Sequence, residues 1–226
     1  MSTAHWFSSL ARSNPELHRL VYDFNHYPHR WARTEWLDGC VASSPTIALL
    51  EQSPRGRTRL GRHYCAALGL KDNFWEFEAR HRRLALLPHS ALAQLGLFVG
   101  AALHWMSLAR CVTQAEHRAT IEQIGHDAYS YGLRRGRTLL GASGLGTPNL
   151  PSTEGHANLP VAGWKILAAC LQQEPPAIFR RFRLKSPRDI ELHDSGELAL
   201  SPATAWAIVQ PVITDILPRS EQQCFA

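Results

Sequence analysis

The spacing of apolar positions predicts helices along almost the whole chain. Asn14-Pro15 reads as an N-cap followed by proline at the first helical position, and Leu17, Leu20, Val21 and Phe24 then recur at helical spacing. That helix should stop before Pro28. His29 to Cys40 carries Trp31 and Trp36 in an irregular segment expected to pack on the core. Ser53-Pro54 opens a second pattern, with Leu60, Tyr64 and Leu68 on one face and Arg55, Arg59 and Arg62 around it. Phe74, Trp75 and Phe77 form a short aromatic segment ahead of Arg80-His81-Arg82-Arg83.

The middle gives the strongest pattern. Ser90 to Val112 and Ala115 to Leu140 each read as a helix of about six to seven turns, joined by a short link at Thr113. Leu92, Leu95, Val99, Ala102, Leu103 and Met106 share one face of the first; Ile121, Ile124, Gly125, Ala128 and Gly132 share one face of the second. Glycine costs about 1 kcal/mol against alanine inside a helix. Gly96, Gly100, Gly125 and Gly132 therefore predict a close approach of these two helices.

Gly141 to Asn158, rich in Gly, Ser, Pro and Thr, reads as a flexible loop (around 141–158) after a helix terminated at Gly141. Leu159 to Leu171 resumes the helical pattern, and Pro175-Pro176 starts a short helix ending near Lys185. The period then changes. Ile190 and Leu192 alternate with Glu191 and His193, Asp194-Ser195-Gly196 supplies a turn, and Leu198 and Leu200 alternate again, a β-hairpin signature near residues 189–200. Ser201-Pro202 caps a last helix with Trp206, Val209, Ile213 and Ile216 inward and Pro211 expected to kink it. The predicted fold is mainly all-α: a single compact multi-helix domain over residues 1–226, with a long central helical hairpin and one small β-hairpin.

Composition supports a folded chain. It has 226 residues, 45% of them apolar, enough for one substantial core. No Asp, Glu, Lys or Arg lies between Arg83 and Arg110. Pro88, His89, Gln94 and His104 interrupt that stretch, however, and the apolar run Leu95 to Leu103 is too short to cross a bilayer. The start lacks a secretory pattern. Cys40, Cys65, Cys111, Cys170 and Cys224 stand far apart, fitting a reducing cytoplasm. The net charge of +5 rests on 21 Arg and three Lys. That skew is what a GC-rich coding sequence produces, so the balance alone is no argument for a polyanionic partner.

Motifs for chemistry are incomplete. Gly141 and Gly146 have P-loop spacing, but Thr147-Pro148 follows where Lys and Ser/Thr are needed. Glu78-x-x-His81 is half of a di-iron pair with no second copy. His26 and His29 alone do not make a metal site. Cys65 near His63 is adjacency in sequence, not the spatial pairing a nucleophile needs. The expectation is a non-enzymatic binding protein without a catalytic, cofactor or metal site.

Two sets of residues are candidates for protein binding. Phe24, Asn25, Pro28, Trp31 and Trp36 place large aromatics where partial exposure would make them hot spots. Arg134, Arg135 and Arg137, with Arg180, Arg181 and Arg183, suit an acidic face because guanidinium pairs bidentately with carboxylate. The bland alternative is attraction to helix C-terminal dipoles plus solubility.

The order of features resembles the SctK/YscK family. Phe24-Asn25-x-x-Pro28 followed by Trp36-Leu37 is similar to that family's opening. Leu87-Pro88, Gln94-Leu95, Leu103-His104, Ala109-Arg110-Cys111-Val112, the helix Ile121 to Leu140 with Gly141, and Phe179-Arg180-Arg181-Phe182-Arg183-Leu184 follow its pattern, as does the final helix closed by Pro218. The Arg-rich segment Gly39 to Asp72 and the Gly141 to Asn158 loop depart from it. The resemblance implies a helical, non-enzymatic adaptor of the type III secretion sorting platform. Its partners would be the cytoplasmic domain of the inner-membrane ring protein and the platform pod subunit. Its location would be cytoplasmic, peripheral to the inner membrane. A basic helical nucleic-acid-binding regulator is the alternative.

Overall fold

The computed structural model describes residues 3–40, 44–142, 158–192 and 200–225. Its α-helices in chain order are α1 (Thr3–Ser13), α2 (Pro15–His26), α3 (Thr34–Leu37), α4 (Ser44–Glu51), α5 (Pro54–Ala67), α6 (His89–Leu103) and α7 (Trp105–Ala109). There follow α8 (Gln114–Ile124), α9 (His126–Ala142), α10 (Leu159–Ala169), α11 (Pro176–Arg183), α12 (Pro202–Ile216) and α13 (Arg219–Gln222). The fold is all-α, with no strand among the described residues. The turn of the expected β-hairpin (193–199) and most of the expected loop (143–157) lie outside the described residues; Ile190 to Leu192 is irregular chain.

The helix starts follow the short-range chemistry of their caps. Each first turn leaves backbone N–H groups without a carbonyl, and a side-chain oxygen just before it accepts from one of them. Asn14 accepts from the Leu17 N–H at 3.0 Å, Ser53 from Gly56 at 3.0 Å, and Ser201 from Thr204 at 3.1 Å. Thr113 and Glu116 form a reciprocal capping box ahead of α8.

Each arm of the central hairpin is interrupted once. His104 separates α6 from α7, and Gly125, at φ +81°, separates α8 from α9. Positive φ is accessible to glycine at little cost, so Gly125 serves a break rather than a contact. Apolar spacing runs across a one-residue break without a change of phase, which is why the pattern predicts unbroken helices. At the far end α9 continues through Gly141 to Ala142.

The chain packs as two compact units. The first comprises residues up to His89, Glu174–Glu191 and the C-terminal residues from Cys224; the second comprises Ser90–Gln173 and Leu192–Gln223. In the first, Val21, Phe24, Phe77, Leu84, Ile178 and Phe182 are almost fully buried. Lys185 lies among them, its Nζ donating to the carbonyls of Ala85 (2.6 Å) and Leu87 (2.8 Å).

In the second unit α6 meets α10 through small residues. A Cβ on Gly163 would strike the backbone of Gly96, and one on Gly100 the carbonyl of Leu159, so the two helices run antiparallel in backbone contact. Gly132 of α9 faces the carbonyl of Ala101 and the side chain of Leu108, and Gly136 faces Trp105 and the carbonyl of Ala102. The expected glycine contact within the hairpin thus holds at Gly132. Gly96 and Gly100 instead seat α10. No helix among the described residues is long and apolar enough to cross a membrane.

Candidate protein-binding surfaces

Four of the five residues in the N-terminal candidate set are interior. Phe24, Asn25 and Trp31 are 2%, 1% and 9% exposed, and Pro28 is buried. Phe24 stacks on Trp31 at 5.5 Å and meets Phe77 edge-on at 5.4 Å. The Trp31 indole N–H donates to the carbonyl of Asp23. Asn25 donates to the carbonyls of Val21 (2.9 Å) and Phe74 (2.8 Å) and accepts from the Phe74 N–H at 2.7 Å. The expectation of partial exposure is therefore corrected for Phe24, Asn25, Pro28 and Trp31. Their aromatic and amide groups close the core of the first unit because each finds its partner inside it.

Trp36 is different. It is half-buried, held by its indole N–H on the carbonyl of Ser186 at 2.9 Å. The guanidinium carbons of Arg183 and Arg188 each lie 5.5 Å from its ring, within cation–π range. Arg180 is exposed on the same helix as Arg183. Glu35 is ion-paired to Arg33 at 2.6 Å and accepts from the Arg188 N–H at 3.2 Å. The hydrogen bond from Arg33 and that backbone bond hold its carboxyl below the usual range. The fold thus joins one member of the aromatic set to one member of the basic set. Arg188 carries no motif, and only the tertiary structure reveals it.

Arg181, between Arg180 and Arg183, belongs to the interior. It is 1% exposed and donates to the carbonyls of Asp72 (2.6 Å) and Ala177 (3.1 Å), with burial pulling its pKa down. Successive helix positions are rotated by about 100°, which turns Arg181 inward while Arg180 and Arg183 face solvent.

In the second unit, Arg134 and Arg137 are exposed on α9 beside Leu133, which is 37% exposed. Neither arginine joins an ion pair among the described residues. Arg135 is engaged: it pairs with Asp215 of α12 at 2.8 Å, and Tyr131 donates to the same carboxylate at 3.0 Å. Burial, then the Asp215 charge, raises the Tyr131 pKa. Because α9 runs to Ala142, these arginines lie inside the helix and not in its last turn. The arginines of α11 do occupy a last turn, where the helix dipole attracts them; Arg134 and Arg137 do not.

The other motif residues have local partners. His81 and Arg82 meet Glu174 at 2.6 and 2.8 Å, while Glu78 is exposed. His29 meets Glu51 at 2.9 Å. His63 faces the carbonyl of Cys40, and the Cys65 thiol that of Asn25, so the two are not a nucleophile–base pair. Among the described residues no group of three His, Cys, Asp or Glu side chains is placed to hold a metal.

Comparison with known proteins gives one result. The family model described as YOP proteins translocation protein K (YscK) matches residues 19–225, nearly the whole chain. No individual curated protein and no solved structure matches significantly.

Proposed function

The chain belongs to the YscK family of type III secretion proteins, and from that premise we propose that it is a non-enzymatic adaptor of the cytoplasmic sorting platform. In this reading it links the cytoplasmic domain of the inner-membrane ring protein to the pod subunit and resides at the cytoplasmic base of the apparatus. The family match over residues 19–225 carries the reading. Two surfaces support it, because an adaptor needs two. One is Trp36 with Arg183 and Arg188 in the first unit. The other is Arg134 and Arg137 beside Leu133 in the second. An aromatic ring flanked by guanidinium groups has the composition of an interface hot spot. Unpaired arginines suit a partner rich in carboxylates.

The test is binding to each partner separately. Arg183→Glu with Arg188→Glu, and Arg134→Glu with Arg137→Glu, should each weaken one partner about tenfold and leave the other unchanged. Arg135 is left alone, since reversing it would also break its pair with Asp215. Wild-type affinity for both partners in both variants at low salt would remove these surfaces from the account.

A further inference from the structure

Helix α5, PRGRTRLGRHYCAA, contains four arginines and no acid. Arg55, Arg59 and Arg62 are all exposed and take spacings of four and three residues, which confines them to about 60° of helical arc. Leu60 and Tyr64, 3% and 1% exposed, bury the opposite face. The stripe therefore points away from the core that anchors the helix. Arg57 is only half-exposed and lies outside it, close enough to influence Asp23.

Nothing within the unit explains the stripe. The side chains of Arg55, Arg59 and Arg62 take part in no ion pair, hydrogen bond or ring contact among the described residues. Asp23 and Glu51, on helices packed against α5, are engaged by Arg30 and His29. The helix dipole does not favour it either. The charges begin in the first turn of α5, where cations are disfavoured, and its last turn has none. A local rule broken without compensation inside the fold marks a surface used for something else.

We propose that this stripe docks an acidic helix of a partner protein. Three guanidinium groups one turn apart match carboxylates at i, i+4 and i+7 of a facing helix, each able to form a bidentate pair. Leu49, 67% exposed on α4, which packs against α5, is an exposed apolar side chain of the same unit. Three charges fall short of the four to eight typical of an anionic-lipid site. They also neutralise too few phosphates to hold nucleic acid at physiological salt.

The test uses the full chain and four probes. These are an alanine-rich helical peptide with glutamates at i, i+4, i+7 and i+11, a permuted peptide of equal charge, phosphatidylglycerol vesicles, and duplex DNA. The wild type should prefer the striped peptide to the permuted one at low salt. Arg55→Glu, Arg59→Glu and Arg62→Glu together should weaken that binding about tenfold or more. The corresponding three Arg→Lys changes should fall between, keeping charge but losing the bidentate fork. Because the stripe opposes the dipole, Arg55→Glu alone should leave the melting temperature unchanged or raise it. Arg→Gln at all three positions repeats the binding test without reversing charge. The proposal is overturned if the striped peptide does not bind or binds no better than the permuted one. It is equally overturned if vesicles or DNA are bound through these residues instead, or if the Arg→Gln protein fails to fold. None of these outcomes touches the surfaces assigned above, which are assayed with different variants.

Discussion

Replacing Gly163 with alanine should destabilise the second unit, against the usual rule for a helix. In an open helical position the change stabilises by about 1 kcal/mol, since alanine loses less backbone freedom on folding. At Gly163 the new methyl would overlap the Gly96 backbone, with the Gly96 Cα only 2.8 Å away. Backbone cannot rotate aside as a side chain does, so α6 and α10 must separate along their crossing. Such overpacking costs about 1–3 kcal/mol, and the loss of close contact beside Leu159 and Trp164 adds to it. For a chain of this size each kcal/mol shifts the midpoint by about 2–4 °C, so a fall of about 2–12 °C is expected. Gly141 is the control. It lies in α9 with nothing within 4 Å of a Cβ, and Gly141→Ala should raise the midpoint by about 1–4 °C. Thermal and urea unfolding of the two variants measure both signs. A Gly163→Ala protein as stable as wild type, or more so, refutes the close crossing.

Two further predictions concern the first unit. Asn25→Ala leaves the N–H and C=O of Phe74 without their side-chain partner in a buried site and should cost about 2–4 kcal/mol by urea unfolding; a loss under 1 kcal/mol shows that the bonds do not staple α2 to this segment. Burial pushes the Lys185 pKa down to about 7, whereas the unfolded side chain keeps its proton to about 10.4. Between these values the unfolded state binds more protons, so stability should rise with pH. The wild type should therefore gain on Lys185→Met between pH 7 and 8.5, where the folded Cys224 thiol, pushed up to about 11 by burial, keeps its proton; parallel curves contradict the assignment.

What could be read from the sequence was whatever depends on a few neighbouring residues. Asn14, Ser53 and Ser201 announce helix starts because a cap is completed within three positions. The role of a side chain distant in sequence from its partner was not legible. Phe24-Asn25 and Pro28 stand out as a motif, but only the carbonyl and N–H of Phe74, 49 residues on, show that Asn25 points inward. Small residues likewise report a close approach without naming the neighbour. Gly96 and Gly100 fit a hairpin partner as well as they fit α10, and the fold selects α10. Arginine runs are ambiguous for the same reason, since one position in Arg180-Arg181 faces solvent and the next faces the core.

The central proposal is that one chain bridges two platform components, and size-exclusion chromatography of the three purified proteins tests it directly. The ring protein's cytoplasmic domain and the pod subunit should elute separately when mixed at micromolar concentration. Adding this chain should bring all three into one peak. The Arg183→Glu/Arg188→Glu and Arg134→Glu/Arg137→Glu variants should each release a single and different component. Failure of the wild-type chain to bind either protein, or mutually exclusive binding of the two, contradicts the adaptor reading.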